Sequence, residues 1–82
     1  MRPDEVATLI RRSLTDAEVD VQSGDDVHFT ARVVSAAFAG KRPLQRHQLV
    51  YQALGDLMGG VIHAMSIEAL TPDEAARRGG RS

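Results

Sequence analysis

Three histidines in a chain of 82 residues, His28, His47 and His63, are the side chains best suited to chemistry. A neutral imidazole ligates metals through either ring nitrogen. His28 follows the turn Ser23-Gly24-Asp25-Asp26 and opens a run of alternating residues; His63 follows Gly59-Gly60 and opens another. If both runs are strands lying side by side in parallel, the two imidazoles share one edge of a sheet, with strands ~4.8 Å apart. That spacing suits a shared metal or a cluster. Two histidines fall short of the three or four protein ligands of a mononuclear zinc site. The site would be half-built, and a partner would have to complete it. The competing reading is a histidine at a strand end that is merely solvated or hydrogen-bonded to backbone.

Lys41, Arg42, Arg46 and His47 form a dense basic cluster around the expected start of a long helix. The helix dipole disfavours cations there, and a local rule broken in this way points to function. Cations beside free amide N–H groups make an anion site, for a phosphate, a carboxylate or an acidic partner surface. A solvated basic loop is the alternative. His47 falls within the helical apolar stripe, so a half-buried, hydrogen-bonded structural role is expected, with partner contact as the alternative. Enzyme signatures fail on inspection. There is no cysteine, hence no thiol nucleophile or thiolate metal site. Gly40-Lys41 lacks the earlier glycine and the following Ser/Thr of a phosphate loop. Ser13, Ser35 and Ser66 have no evident His and Asp companions, and the carboxylates sit mostly at helix starts. The chain is expected not to be an enzyme.

The elements that must position these residues follow from period and punctuation. Pro3 to Leu14 reads as a helix, with Val6, Leu9, Ile10 and Leu14 on one face and Asp4 and Glu5 at its positive end. Val19 and Val21 alternate with polar residues in a short strand. After the turn, Val27 to Ser35 is a second strand, with Phe29, Ala31 and Val33 on one face, and the two strands form a hairpin. Ala36 to Lys41 is a loop or a short helical turn. Pro43 suits the first position of a helix, whose stripe Val50, Leu54, Leu57, Met58 and Val61 runs up to the stop at Gly59-Gly60. Ile62 to Leu70 is a third strand. Thr71-Pro72-Asp73-Glu74 is an N-cap, first-turn proline and capping-box glutamate that open a terminal helix.

The order is therefore α-β-β-α-β-α. A strand–helix–strand passage makes a right-handed crossover, so the expected fold is α+β: a three-stranded mixed sheet with helices on one face. Residues 1–76 form a single domain, and 77–82 are expected to be a flexible basic tail. The chain is near the lower size limit for unaided folding, with little room for a deep cleft of ~300 Å³ or more. A net charge of −1 argues against bulk attraction to nucleic acid or anionic membrane. No apolar signal core and no run near ~18 apolar residues is visible, so a cytoplasmic location is expected.

The second half resembles the BolA family. Arg32 to Lys41 is similar to its VVS-x-x-F-x-G-K segment, Arg46-His47-Gln48-Leu49-Val50-Tyr51 to its RH-x-x-VY helix start, and Ile62 to Ile67 to its IHA-x-S-I strand, with Thr71-Pro72 as the usual ending. The elements come in the right order over about Val19 to Glu74. The resemblance implies a fold related to the type II KH topology. It also implies a role: pairing with a monothiol glutaredoxin, with a bridging 2Fe–2S cluster shared between the two proteins and glutathione and absent from the isolated chain. Such pairs are associated with cluster delivery and iron homeostasis. The resemblance makes His63 one ligand and places a second in the loop before the second strand, where this cysteine-free chain offers His28, with Asp25 or Asp26 as weaker oxygen donors. Histidine ligation would resemble a Rieske centre and raise the cluster potential. The chain would be a monomer alone and a heterodimer with its partner, docked through the basic cluster, and iron–sulfur client proteins would be further partners.

The rival reading is a DNA-binding transcriptional regulator of the BolA type, acting in cell morphology and stress response. The basic cluster and Arg-rich tail favour it. The absent GxxG clamp, the sparse aromatics Phe29, Phe38 and Tyr51, and the net charge oppose it. A third reading is an interaction protein that regulates a glutaredoxin without ligating metal.

Overall fold

The computed structural model describes residues 1–58, 60 and 64–79, without the side chains of Ala64 and Arg78. Helix α1, Pro3–Ser13, opens on a proline, and the Glu5 carboxylate accepts the Arg2 N–H at 2.8 Å. Its Val6, Ala7 and Ile10 are buried, as its apolar spacing requires. Strand β1, Glu18–Gln22, pairs antiparallel with β2, His28–Val34, in register from Glu18 opposite Val34 to Gln22 opposite Thr30. A 3₁₀ turn, Ala36–Phe38, leads to α2, Pro43–Leu54. Strand β3, Ala64–Leu70, returns parallel to β2, with His28 opposite Ala64 and Val34 opposite Leu70. Helix α3, Pro72–Gly79, closes the described chain. The order β1-β2-β3 is the expected three-stranded mixed sheet.

Helices α1 and α2 cover one face of that sheet. Their Val6, Ile10, Val50 and Leu54 meet Phe29, Ala31 and Val33 of β2, and Phe38 fills the same core from the 3₁₀ turn. Full burial of such a side chain stabilises by about 1.5–3 kcal/mol. The opposite face is polar: Asp20, Arg32 and Glu68 stand in one row across the three strands, and Arg32 Nε lies 3.2 Å from Glu68 Oε1. Both outer strands have a backbone carbonyl covered by a guanidinium. Arg11 donates to the Val19 carbonyl of β1 at 2.9 Å, and Arg46 to the Ala69 carbonyl of β3 at 3.0 Å.

Two boundaries differ from the sequence expectation. The apolar stripe predicts a helix from Pro43 up to Gly59-Gly60, but α2 stops at Leu54. Gly55 adopts φ +57°, a conformation that L side chains disfavour, and Gly55–Leu57 tightens into a 3₁₀ turn. At the other end, α3 runs to Gly79, past the expected tail boundary at residue 77. Arg77 suits this extension, since a cation is favoured near the negative C-terminal end of a helix. The expected start of the third strand, at Ile62, lies outside the described residues.

Candidate metal centre and docking surface

The loop before β2 is built around two side chains. The Ser23 hydroxyl accepts the Asp26 N–H at 2.9 Å and lies 2.6 Å from the His28 carbonyl oxygen. Asp25 Oδ1 accepts the N–H groups of Val27 at 3.0 Å and His28 at 2.9 Å. Its other oxygen, Oδ2, lies 2.8 Å from Nδ1 of the His28 ring. These contacts, led by the His28 backbone N–H and then the His28 ring, hold the Asp25 carboxyl well below the usual carboxylate range. Asp26 turns the loop at φ +59°, a conformation Asp tolerates better than most residues. The Asp25 side chain is thus tied on both oxygens within the loop. The His28 side chain is 66% exposed, and its Nε2 has no hydrogen-bond partner among the described residues.

β2 opens with His28 and β3 with Ala64, paired in register at one end of the sheet. His63 immediately precedes Ala64 in sequence and lies outside the described residues. Among the described residues, no three His, Cys, Asp or Glu side chains converge on one point. Among the described residues the donor set is one exposed imidazole, anchored through one nitrogen and without a partner at the other. Its chemistry fits a cluster ligand, since metal-bound histidines commonly have their second nitrogen held by a carboxylate or carbonyl.

The basic cluster separates into two parts. Lys41 and Arg42 are exposed, without ion pairs among the described residues. Arg46 is not a free cation: its side chain is only 13% exposed. Its Nε donates to the Lys41 carbonyl at 2.9 Å, and its terminal nitrogens donate to Glu74 at 2.6 and 3.3 Å and to Ala69. The guanidinium also lies 6.0 Å from the Phe38 ring centroid. The expectation that Arg46 binds an external anion is corrected accordingly, because Glu74 of the same chain is the anion. Arg46, and then the Thr71 N–H, lower the Glu74 pKa to about 2. The same carboxylate accepts the Thr71 N–H at 2.9 Å, and Thr71 Oγ1 accepts the Glu74 N–H at 3.2 Å. That is the capping box expected from the sequence. A surface depression of about 460 Å³ lies over this pair, between Pro43, Leu70 and Arg77; it is open to the surface and is not a deep cleft.

His47 is half-buried, but its ring has no hydrogen-bond partner among the described residues, unlike the bonded role expected. Beside it on α2, Leu44 is 68% exposed and Tyr51 38%, the large apolar side chains left open to solvent among the described residues. Phe29 and Phe38 are core residues. Sequence reasoning missed Asp16, whose Oδ1 accepts from the buried Ser35 hydroxyl at 2.7 Å and whose Oδ2 accepts the Ala36 N–H at 2.8 Å. These two bonds, Ser35 first, lower its pKa. The signal was the Ser-x-x-Phe turn itself, where Ser35 Oγ also accepts the Ala37 N–H.

Residues 4–74 match the family model of BolA-like proteins, and the chain belongs to that family. A BolA homologue of Coxiella burnetii shares the fold at TM-score 0.83 and 38% identity, covering 94% of this chain and 99% of that one. The SufE-like protein 1, chloroplastic/mitochondrial, of Arabidopsis thaliana is 47% identical over 60 residues, 71% of this chain and 16% of that protein. The DNA-binding transcriptional regulator BolA of Vibrio cholerae is 46% identical over 55 residues, 67% of this chain and 52% of that protein. The aligned region spans only 38% of the length of the human BolA-like protein 1 that it also matches. No helix among the described residues is long and apolar enough to cross a membrane.

Proposed function

We propose that this BolA-like chain is the partner of a monothiol glutaredoxin and shares a 2Fe–2S cluster with it and glutathione, through His28 and His63. The observation that carries this reading is His28. It stands exposed at the end of the sheet where β3 begins, with Nδ1 held by Asp25 and Nε2 without a hydrogen-bond partner among the described residues. When bound, the cluster supplies the redox and transfer chemistry. The chain supplies imidazole donors and a surface that recognises the partner. Each imidazole must be neutral to ligate, so assembly weakens as the rings protonate. Lys41 and Arg42, without ion pairs among the described residues, steer the encounter with an acidic partner face, and the neighbouring Leu44 and Tyr51 supply apolar contact.

The test follows visible circular dichroism after mixing the protein with cluster-loaded glutaredoxin and glutathione. A new wild-type spectrum that is lost in His63→Ala and altered in His28→Ala supports shared ligation. An unchanged spectrum on mixing sinks it. If instead the complex forms and the spectrum is indifferent to both substitutions, the chain is a regulator that does not ligate metal.

The Vibrio cholerae relative, named as a DNA-binding transcriptional regulator, supports DNA binding as the second reading. With Phe29 and Phe38 buried and Arg46 paired internally, Tyr51, Lys41, Arg42 and the Arg-rich C-terminal segment would have to carry it. Binding that survives high salt with a sequence preference favours this reading; binding that vanishes with salt is non-specific.

A further inference from the structure

We propose that Asp25 is a positioning residue that fixes His28 as its Nδ1–H tautomer and leaves Nε2 as the atom that meets a metal. The inference deepens the reading of His28 as a ligand and rests on it for its functional meaning, although the placement of the proton stands on the geometry alone.

An ionised carboxylate can only accept hydrogen bonds. With Asp25 Oδ2 at 2.8 Å from His28 Nδ1, the ring proton of a neutral imidazole sits on Nδ1. The lone pair is then on Nε2, the nitrogen without a partner among the described residues. The carboxylate is not free to swing away, because its other oxygen holds the N–H groups of Val27 and His28. Backbone and ring are therefore clamped by one side chain. Asp26 makes no such contact and faces solvent, so the two neighbouring aspartates have different tasks. The same contacts decide between donors in this loop. Asp25 has both oxygens engaged in orienting His28, and ligation by Asp25 itself would release the turn. Carboxylate–histidine pairs of this kind raise ligand basicity and fix ring orientation, and losing the outer partner typically costs about 10–100-fold in metal affinity.

The experiment uses the full chain with ¹⁵N-labelled histidine. Long-range ¹H–¹⁵N correlation spectra, recorded where the ring is neutral, report which nitrogen carries the proton. Wild type is expected to show Nδ1–H for His28, and Asp25→Ala to shift toward the Nε2–H form that free imidazole prefers. Asp25→Asn, which keeps an acceptor for the backbone N–H groups, controls for collapse of the turn and is expected to weaken the preference with the fold retained. Titration against cluster-loaded glutaredoxin, read by visible circular dichroism, is expected to need about 10–100-fold more Asp25→Ala than wild type. A wild-type ring protonated on Nε2, or a tautomer indifferent to Asp25→Ala, overturns the proposal. So does a tautomer that shifts while the titration stays unchanged. If wild type gives no cluster spectrum, the glutaredoxin reading fails, and the tautomer measurement alone still decides whether Asp25 holds the ring.

Discussion

Arg46→Ala is expected to destabilise the fold by about 2–3 kcal/mol, in contrast to Lys41→Ala or Arg42→Ala, which should stay within about 0.5 kcal/mol of wild type. The substitution removes donors to the Lys41 and Ala69 carbonyls and both contacts to Glu74. Breaking a fully buried pair costs about 3–5 kcal/mol. Here the Glu74 side chain keeps 37% exposure, so the orphaned carboxylate regains water and the cost falls below that range. For a domain of this size each kcal/mol moves Tm by about 4–8 °C, giving a fall of about 8–24 °C. Urea denaturation followed by far-UV circular dichroism reads the difference. Its pH dependence has a definite sign. The Glu74 pKa is depressed from an ordinary 4.5 to about 2 in the folded state, so the pair's contribution is complete above the ordinary value. It is lost as pH falls through about 2, where the gap between wild type and Arg46→Ala narrows to the share carried by the Lys41 and Ala69 carbonyls. Equal stability of the two proteins at pH 7 would refute the structural role and return Arg46 to the docking surface.

Other outcomes follow from the same contacts. Phe38→Ala should cost about 3–5 kcal/mol by urea denaturation, whereas Tyr51→Ala should be nearly neutral for stability; the reverse order would return Phe38 to the nucleic-acid reading. Ser35→Ala should cost about 1 kcal/mol, the worth of a typical hydrogen bond, because its buried hydroxyl ties Asp16 and the Ala37 N–H together. A Lys41→Glu, Arg42→Glu double variant should melt like wild type, yet bind glutaredoxin more slowly and with less salt dependence. Unchanged association kinetics across a salt series would remove these cations from the interface.

What the sequence made legible was local. The hairpin follows from valine alternation around Ser23-Gly24-Asp25-Asp26, and the parallel crossover from chain order. The Thr71–Glu74 capping box is a four-residue signal that the structure reproduces. The end of α2 was read too late: Gly55-Asp56 is itself a stop signal, but Leu57 and Met58 resume the apolar stripe beyond it and drew the helix on to Gly59-Gly60, whereas Gly55 takes a positive φ and ends it. The role of Arg46 was hidden for a different reason: its partner Glu74 lies 28 residues away, beyond any local rule. Asp16 and Ser35 are likewise separated by 19 residues. The Asp25–His28 pair is the opposite case. Three residues apart, it was within reach of sequence reading, but an aspartate in a turn reads first as a turn former, and only the ring contact reveals the second task.

The two guanidiniums on the outer strands have a consequence for crowded solution. An open sheet of order β1-β2-β3 offers two rows of backbone groups to any passing strand, the usual start of edge-to-edge aggregation. Arg11 on Val19 and Arg46 on Ala69 each occupy a carbonyl in those rows. A strand seeking to add there must first evict a charged side chain and leave it without its acceptor. The fold therefore carries a guard against runaway self-association on each flank, made from arginines that also fasten its helices to the sheet.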